Sequence, residues 1–95
     1  MAEVIWTNRA LTDLEDIGDY ISKDSYKYAL NTIQKLFNSV EILKTMPKSG
    51  RIVPEVNKEN IRELIKGNYR VIYMLREDGK IDILTVHHSA RILNI

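Results

Sequence analysis

The last third of the chain contains two short turns that constrain the fold more than any other feature of the sequence. Gly67-Asn68 and Asp78-Gly79 each lie between runs rich in β-branched and aromatic residues. Both dipeptides are typical of two-residue hairpin loops. They predict a three-stranded antiparallel meander over residues 61–88. The two loops also set the strand register, which places Arg70 directly across from His87.

Alternation of side chains along these strands predicts two sheet faces, both apolar through the middle. One face is predicted to carry Ile61, Glu63, Ile65, Arg70, Ile72, Met74, Arg76, Ile81, Ile83, Thr85 and His87. The other is predicted to carry Arg62, Leu64, Lys66, Tyr69, Val71, Tyr73, Leu75, Asp82, Leu84, Val86 and His88. Helices from one hairpin cover only one of these faces. We therefore expect a partner segment or a homodimer to cover the other.

The first half of the chain predicts one strand and two helices. Glu3–Trp6 is a short β-prone run of the kind found at sheet edges, and Thr7 or Asn8 can cap the helix that follows. Lys23–Ser25 interrupts the helical pattern and offers a second N-cap. A longer amphipathic helix then runs to about Met46, before a proline. The tyrosines at the start of this helix and at the end of the first, Tyr20, Tyr26 and Tyr28, are interpreted as partly buried packing residues.

Together these elements predict a single α+β domain over residues 1–95. An N-terminal strand and an antiparallel helical hairpin precede the meander, and the helices pack on its one small sheet. The connection over residues 47–60 shows no periodicity, and long connections of this kind are more often functional than idle.

Composition excludes several classes of site. The chain has no cysteine, which rules out disulfides and Cys-based zinc sites. Its two histidines, His87 and His88, are adjacent on a predicted strand and point to opposite faces, so they cannot chelate one metal ion. We expect no metal and no cofactor. No apolar run reaches the length of a membrane span, so we expect a cytoplasmic protein without membrane contact.

Charge is unevenly distributed along the chain. Residues 1–46 carry five Lys or Arg against seven Asp or Glu, whereas residues 47–95 carry nine against six. The second half is compatible with an anionic partner or with an ordinary solvated surface. The net charge of +1 is too small to indicate nucleic-acid binding by itself.

Five segments carry a family resemblance. They are Trp6–Leu14, Pro47-x-x-Gly50-Arg51-x-x-Pro54-Glu55, Ile61–Leu64, Tyr69-Arg70-Val71-Ile72-Tyr73 and Val86-His87-His88-x-x-Arg91. In order, spacing and total length they resemble the ParE/RelE superfamily of toxins from bacterial type II toxin–antitoxin modules. The resemblance implies a co-encoded antitoxin whose C-terminal segment wraps the toxin.

The superfamily has two activities, and the resemblance assigns candidate residues to each. RelE-like members are ribosome-dependent endonucleases that cut mRNA, and ParE-like members poison DNA gyrase. For an RNase, Arg70 would contact the scissile phosphate, Glu55 would act as general base, and His87 or His88 would lie near the C-terminal acid/base positions. Arg70 does not discriminate, because ParE-like members often keep it. The Gly50–Glu55 segment and the His-x-x-Arg ending resemble the ParE side more closely.

Each candidate residue also has a structural interpretation. Arg70 can pair with Glu63, Glu55 or an antitoxin carboxylate within or beside the sheet. The other candidate binding residues could contact a phosphate or a target protein, or could simply be solvated; they are Lys48, Arg51, Arg62, His88 and Arg91. The resemblance favours a ParE-like gyrase inhibitor without catalysis. A RelE-like mRNA endonuclease and a decayed toxin that binds only its antitoxin and operator remain as alternatives.

Overall fold

Five strands form one mixed sheet, and two α-helices pack on one of its faces. The computed structural model describes residues 1–91 and 93. Its elements are β1 (Val4–Trp6), α1 (Asn8–Ser22), α2 (Tyr26–Asn38), a 3₁₀ helix (Ser39–Lys44), β2 (Arg51–Ile52), β3 (Ile61–Lys66), β4 (Tyr69–Leu75) and β5 (Ile81–His88). The strand order is β1-β5-β4-β3-β2, with β1 parallel to β5 and the other neighbours antiparallel. The predicted α+β fold class is confirmed, and β2 is an addition that the sequence pattern did not indicate.

The helices begin at the predicted caps, but the second one ends early. The Thr7 hydroxyl accepts a hydrogen bond from the Ala10 amide at 3.2 Å, and the Ser25 hydroxyl accepts one from the Tyr28 amide at 3.1 Å. The predicted continuation of α2 to Met46 is wrong, because the chain tightens into a 3₁₀ helix from Ser39. There the Ser39 hydroxyl donates to the Leu36 carbonyl at 2.6 Å, a local bond by which serine competes with the helical pattern.

The first hairpin turn has the predicted form and the second does not. Lys66 pairs with Tyr69 across Gly67-Asn68. The second loop contains three residues, Glu77–Gly79, because the Arg76 amide donates to the Lys80 carbonyl at 2.9 Å. Gly79 takes the left-handed backbone conformation, at φ 86°, that such loops require.

A β-bulge on β5 compensates for the longer loop. Ile72 pairs with Thr85 whereas Tyr73 pairs with Ile83, so Leu84 is the extra residue. Beyond the bulge the predicted register holds. From Ile81 to Leu84, every β5 side chain lies on the face opposite to the predicted one. Ile81 and Ile83 therefore belong to the helix-side core, and Leu84 packs on the other face.

The face that was predicted to be uncovered is covered by the chain itself. Val53 is completely buried there against Ile61 and Ile72, and Val56 and Leu93 pack beside them. The segment 47–60 performs this covering, so the argument for a second copy on this face no longer applies. The large apolar side chains that do remain exposed lie mostly on the helices. Tyr20, Tyr26 and Tyr28 are exposed, so the prediction that they are partly buried is wrong.

Tyr73 fixes the start of the covering segment. Its hydroxyl donates to the Pro47 carbonyl at 2.7 Å and accepts from the Gly50 amide at 2.9 Å. These two bonds hold the chain against the sheet before β2 begins. No helix in the described part of the chain is long and apolar enough to cross a membrane.

Candidate functional site

Arg70 lies at the centre of the candidate site and is paired with carboxylates through all three of its side-chain nitrogens. It is 8% exposed, in the middle of the sheet on β4. Its Nε donates to Glu63 Oε1 at 2.5 Å, and its two terminal nitrogens donate to the two carboxylate oxygens of Glu55 at 2.6 and 2.7 Å. The second contact is the bidentate geometry that guanidinium groups form with carboxylates and phosphates.

Glu63 extends this pairing to a second arginine. It is 1% exposed on β3, and its Oε2 accepts from Arg51 Nε at 2.6 Å. Arg51, Glu63, Arg70 and Glu55 therefore form a continuous series of alternating charges, which we call the ion-pair chain. Its formal charges sum to zero.

Local structure explains why these four residues meet. Arg51 is directly opposite Glu63 in the short β2–β3 ladder, and Arg70 lies on the next strand. Glu55 follows the buried Val53 in the turn after β2, where the Val56 and Asn57 amides donate to the Val53 carbonyl. The turn is thus held by its own backbone and by its apolar contact with the sheet.

This pairing shifts the pKa of the exposed Glu55 and of the buried Arg70. The hydrogen bonds from Arg70, followed by a backbone amide bond, lower the pKa of Glu55 from 4.5 to about 2. The same hydrogen bonds to Glu55 raise the pKa of Arg70 above its ordinary value. A carboxylate with so low a pKa is a poor proton acceptor at neutral pH.

The two histidines lie on opposite sides of the sheet. His87 is the register partner of Arg70, and its Nε2 lies 2.9 Å from the Arg91 carbonyl oxygen. His88 is the partner of Tyr69, with the two rings edge-to-face at 5.4 Å, and its Nδ1 accepts from the Ala90 amide at 3.1 Å. Only His87 lies on the face of Arg70.

The remaining candidate binding residues fall into two groups. Lys48 and Arg62 both approach the Glu59 carboxylate, at 3.5 and 3.9 Å, whereas Arg51 pairs with Glu63. Arg62 also donates to the Gly50 carbonyl at 3.0 Å. Arg91 lies instead at the end of β5 with the histidines. The ion-pair chain runs from Arg51, at the edge formed by β2 and β3, to Arg70, which is the register partner of His87 on β5.

Glu63 lies at the centre of the site and is not among the residues predicted for it. Alternation placed it on the face of Arg70, and it was considered only as one of several partners for that arginine. Its nearly complete burial between two cations follows from β2, which the sequence pattern did not indicate. Within residues 1–91 and 93, no three His, Asp or Glu side chains come together as metal ligands.

Comparison with known proteins adds family evidence to this geometry. The family model for the ParE toxin of type II toxin–antitoxin systems, parDE, matches residues 4–93. Toxin RelE2 of Caulobacter vibrioides is 35% identical over 92 residues, which cover 97% of this chain and 100% of that protein.

Two solved structures share the fold. A chain of the chromosomal ParDE toxin–antitoxin system from P. aeruginosa superposes with a TM-score of 0.77 at 23% identity, covering 93% of this chain and 96% of that one. A chain of the toxin–antitoxin complex RelBE2 from Mycobacterium tuberculosis gives 0.56 at 18% identity, covering 92% and 96%. At these identities the two structures are evidence for the fold alone.

Proposed function

We propose that this chain, which belongs to the ParE toxin family of type II toxin–antitoxin systems, arrests growth as a protein inhibitor of DNA gyrase. On this proposal it acts through its surface and catalyses no reaction. The observation that carries the proposal is the pairing of Arg70, whose three nitrogens each donate to a carboxylate.

RNA cleavage, the alternative activity, would need side chains that are already paired with each other in the ion-pair chain. Metal-free RNA cleavage requires a base for the 2′-hydroxyl, an acid for the leaving oxygen and a cation on the phosphate. Here the cation is covered by Glu55, and the lowered pKa of Glu55 weakens it as a base. A phosphate could reach Arg70 only after displacing a bidentate carboxylate. Inhibition through a protein surface requires no such displacement.

We also propose a cognate antitoxin as the partner and the cytoplasm as the location. The antitoxin is supported by membership of a toxin family described as one component of a toxin–antitoxin system. The cytoplasm is the compartment in which the proposed target, DNA gyrase, acts. The two solved relatives, one a ParDE system and one a RelBE2 complex, are consistent with this pairing.

One observation favours ribosome-dependent mRNA cleavage as a second candidate. Arg70 and His87 are register partners on adjacent strands, so a cation and an imidazole share one face. If the turn that carries Glu55 moved away on the ribosome, these two side chains would border an open site. On this alternative the chain would be an endoribonuclease.

Substitutions at two residues that are not buried separate the two functions. We would induce the chain without antitoxin, comparing the native protein with Glu55→Gln and His87→Ala. Arg70→Ala is a poorer test because it would leave Glu63 buried without one of its cations. The measurements are growth, the SOS response, and primer extension on a translated transcript.

Gyrase inhibition predicts that both variants still arrest growth and induce SOS while transcripts stay intact. Purified chain should then inhibit gyrase supercoiling to the same extent as either variant. New 5′ ends inside the reading frame that disappear in both folded variants would overturn the gyrase proposal and establish the endonuclease.

A further inference from the structure

We infer that the cleft between α2 and the turn joining β3 to β4 binds single-stranded nucleic acid. The cleft has a volume of about 710 Å³. Because Tyr69 packs against the helix-side core, this cleft lies on the opposite face of the sheet from Arg70 and the ion-pair chain. We call it the α2–turn cleft; its lining includes Tyr28, Asn31 and Lys35 from α2 and Lys66, Asn68 and Tyr69 from the turn and its flanks.

One face of α2 forms a long polar wall of this cleft. Tyr28, Asn31, Thr32 and Lys35 follow each other at helical spacing, and Asn38 extends the same face. Asn38 lies ten positions after Tyr28, which is about 15 Å along the helix axis. All of these side chains except Thr32 are exposed. An open wall of this length suits an extended ligand better than a small molecule, which needs to be enclosed.

Charge requires this ligand to be anionic. Lys35 and Lys66 are exposed and belong to the two opposite walls. Neither ammonium group forms an ion pair within the described part of the chain. No acidic side chain is found among the described residues that line the cleft. Two such lysines can each contact a phosphate and release the counterions bound to it.

Two tyrosines supply ring surfaces to which bases can stack. Tyr28 is 58% exposed on one wall, and Tyr69 is half-buried on the other. The ring of Tyr69 is held edge-to-face against His88, with centroids 5.4 Å apart. Burial raises the pKa of Tyr69, and Tyr28 lies close enough to add to this rise. Aromatic side chains next to cations form the stacking platform that binds single strands of any sequence.

The amide side chains favour a nucleic acid over an acidic peptide. Asn31, Asn38 and Asn68 line the cleft, and none of their side-chain amides hydrogen-bonds to a described residue. Each amide offers both donors and an acceptor. Base edges present the same mixture, whereas the carboxylates of an acidic peptide only accept. The bases must be unpaired to offer their faces to the tyrosines, so we infer a single strand rather than a duplex.

Nucleic-acid binding in this cleft does not depend on the toxin's target. Its test uses the purified chain without gyrase, ribosomes or a growth readout. Failure of this test leaves the gyrase proposal as it was, and a failed gyrase assay leaves the cleft as it was.

Four fluorescein-labelled probes test the inference by anisotropy. They are a single-stranded DNA and a single-stranded RNA of about ten nucleotides with the same sequence, the DNA duplex, and a Glu-rich peptide of the same charge as one strand. We expect a single strand to bind at least about tenfold more tightly than the peptide or the duplex. The stronger of the DNA and RNA probes identifies the sugar that the cleft accepts. Equal binding of the peptide, tighter binding of the duplex, or no binding at all would overturn the inference.

The salt dependence of binding tests the two lysines. Each phosphate contact on a single strand contributes about 0.7 to the slope of log affinity against log salt concentration. Lys35→Ala combined with Lys66→Ala should therefore reduce that slope by about 1.4. Lys58→Ala combined with Lys80→Ala removes the same charge outside the cleft and should leave the slope as it is. Equal slopes for the two double variants would place the strand elsewhere on the chain.

Tyr28 tests the stacking contact separately from charge. Tyr28→Ala should weaken binding of the single strand at least about fivefold, and Tyr28→Phe, which keeps the ring, should restore most of it. Tyr26→Ala is the matched control, because this ring is 70% exposed on the same helix but does not line the cleft. Circular dichroism should be the same for all three variants. Binding that Tyr28→Ala and Tyr26→Ala weaken equally would contradict stacking in the cleft.

Discussion

At the scale of single residues, Glu63 holds two arginines with one buried carboxylate. Removing its charge leaves the guanidinium of Arg70 buried with only part of its compensation, which for buried pairs is strongly destabilising. We expect Glu63→Gln to lower the free energy of unfolding by about 3–5 kcal/mol in urea titrations. Glu59→Gln, at an exposed carboxylate with long ion pairs, should cost less than about 1 kcal/mol. Similar losses for both variants would contradict a special role for burial.

Glu55 gives the stability of the protein a pH dependence of known sign. Its pKa is lowered in the folded state, from 4.5 to about 2, so the unfolded chain takes up a proton first as the pH falls. The stability it contributes is fully present above about pH 4.5 and is lost as the pH falls toward 2. The difference in unfolding free energy between native protein and Glu55→Gln should be constant near neutrality and shrink across that window. A difference that grows on acidification would contradict the pairing.

The sequence predicted which residues of this site share a face of the sheet. Alternation and hairpin register placed Arg70, Glu63 and His87 on one face, and the structure has them there. What alternation could not supply was the position of Glu55, because the turn after β2 has no periodic signal. Glu55 reaches Arg70 because burial of Val53 folds that turn back on the sheet, which is a tertiary effect.

At the scale of elements, the hairpin of β4 and β5 differs from the predicted one in two ways that cancel, which explains why the predicted pairing of Arg70 with His87 is correct. Asp78-Gly79 indicated a two-residue loop, but the loop has three residues, and the bulge at Leu84 adds one residue back. Turn propensity describes local conformations and cannot report a bulge at Leu84, five residues after the loop ends at Gly79. The faces of Ile81 and Ile83 were therefore wrong, while the pairing of Arg70 with His87 was right.

The junction before β2 also depends on an element contact that no local pattern shows. A Cβ on Gly50 would lie 2.5 Å from the Glu63 carbonyl oxygen and 2.6 Å from the Tyr73 hydroxyl. We expect Gly50→Ala to lower the free energy of unfolding by about 1–3 kcal/mol, because the chain must move away from β3. Ser49→Ala, one residue earlier and exposed, is the matched control and should be close to neutral. Thermal unfolding of the two variants side by side measures the difference.

At the scale of the whole molecule, acidic and basic side chains concentrate on different surfaces. The helical hairpin presents carboxylates from α1, and the covering segment and the end of β5 present Lys48, Arg51 and Arg91. On the proposed function, the basic surface is the one that we expect to contact the target. This separation was visible in the sequence as the acidic first half and the basic second half.

Replacing Arg91 tests whether the basic surface contacts the target. Its side chain is exposed beyond β5, and its backbone amide and carbonyl contact His88 and His87. Because exposed charges at an interface act mainly on the association rate, Arg91→Ala should weaken inhibition of gyrase supercoiling about threefold to tenfold. Its unfolding free energy should change by no more than about 0.5 kcal/mol. Lys80→Ala, an equal loss of charge at the opposite end of β5, should inhibit like the native chain. If both variants lose potency equally, net charge rather than this surface governs binding, and the gyrase contact must be sought elsewhere on the chain.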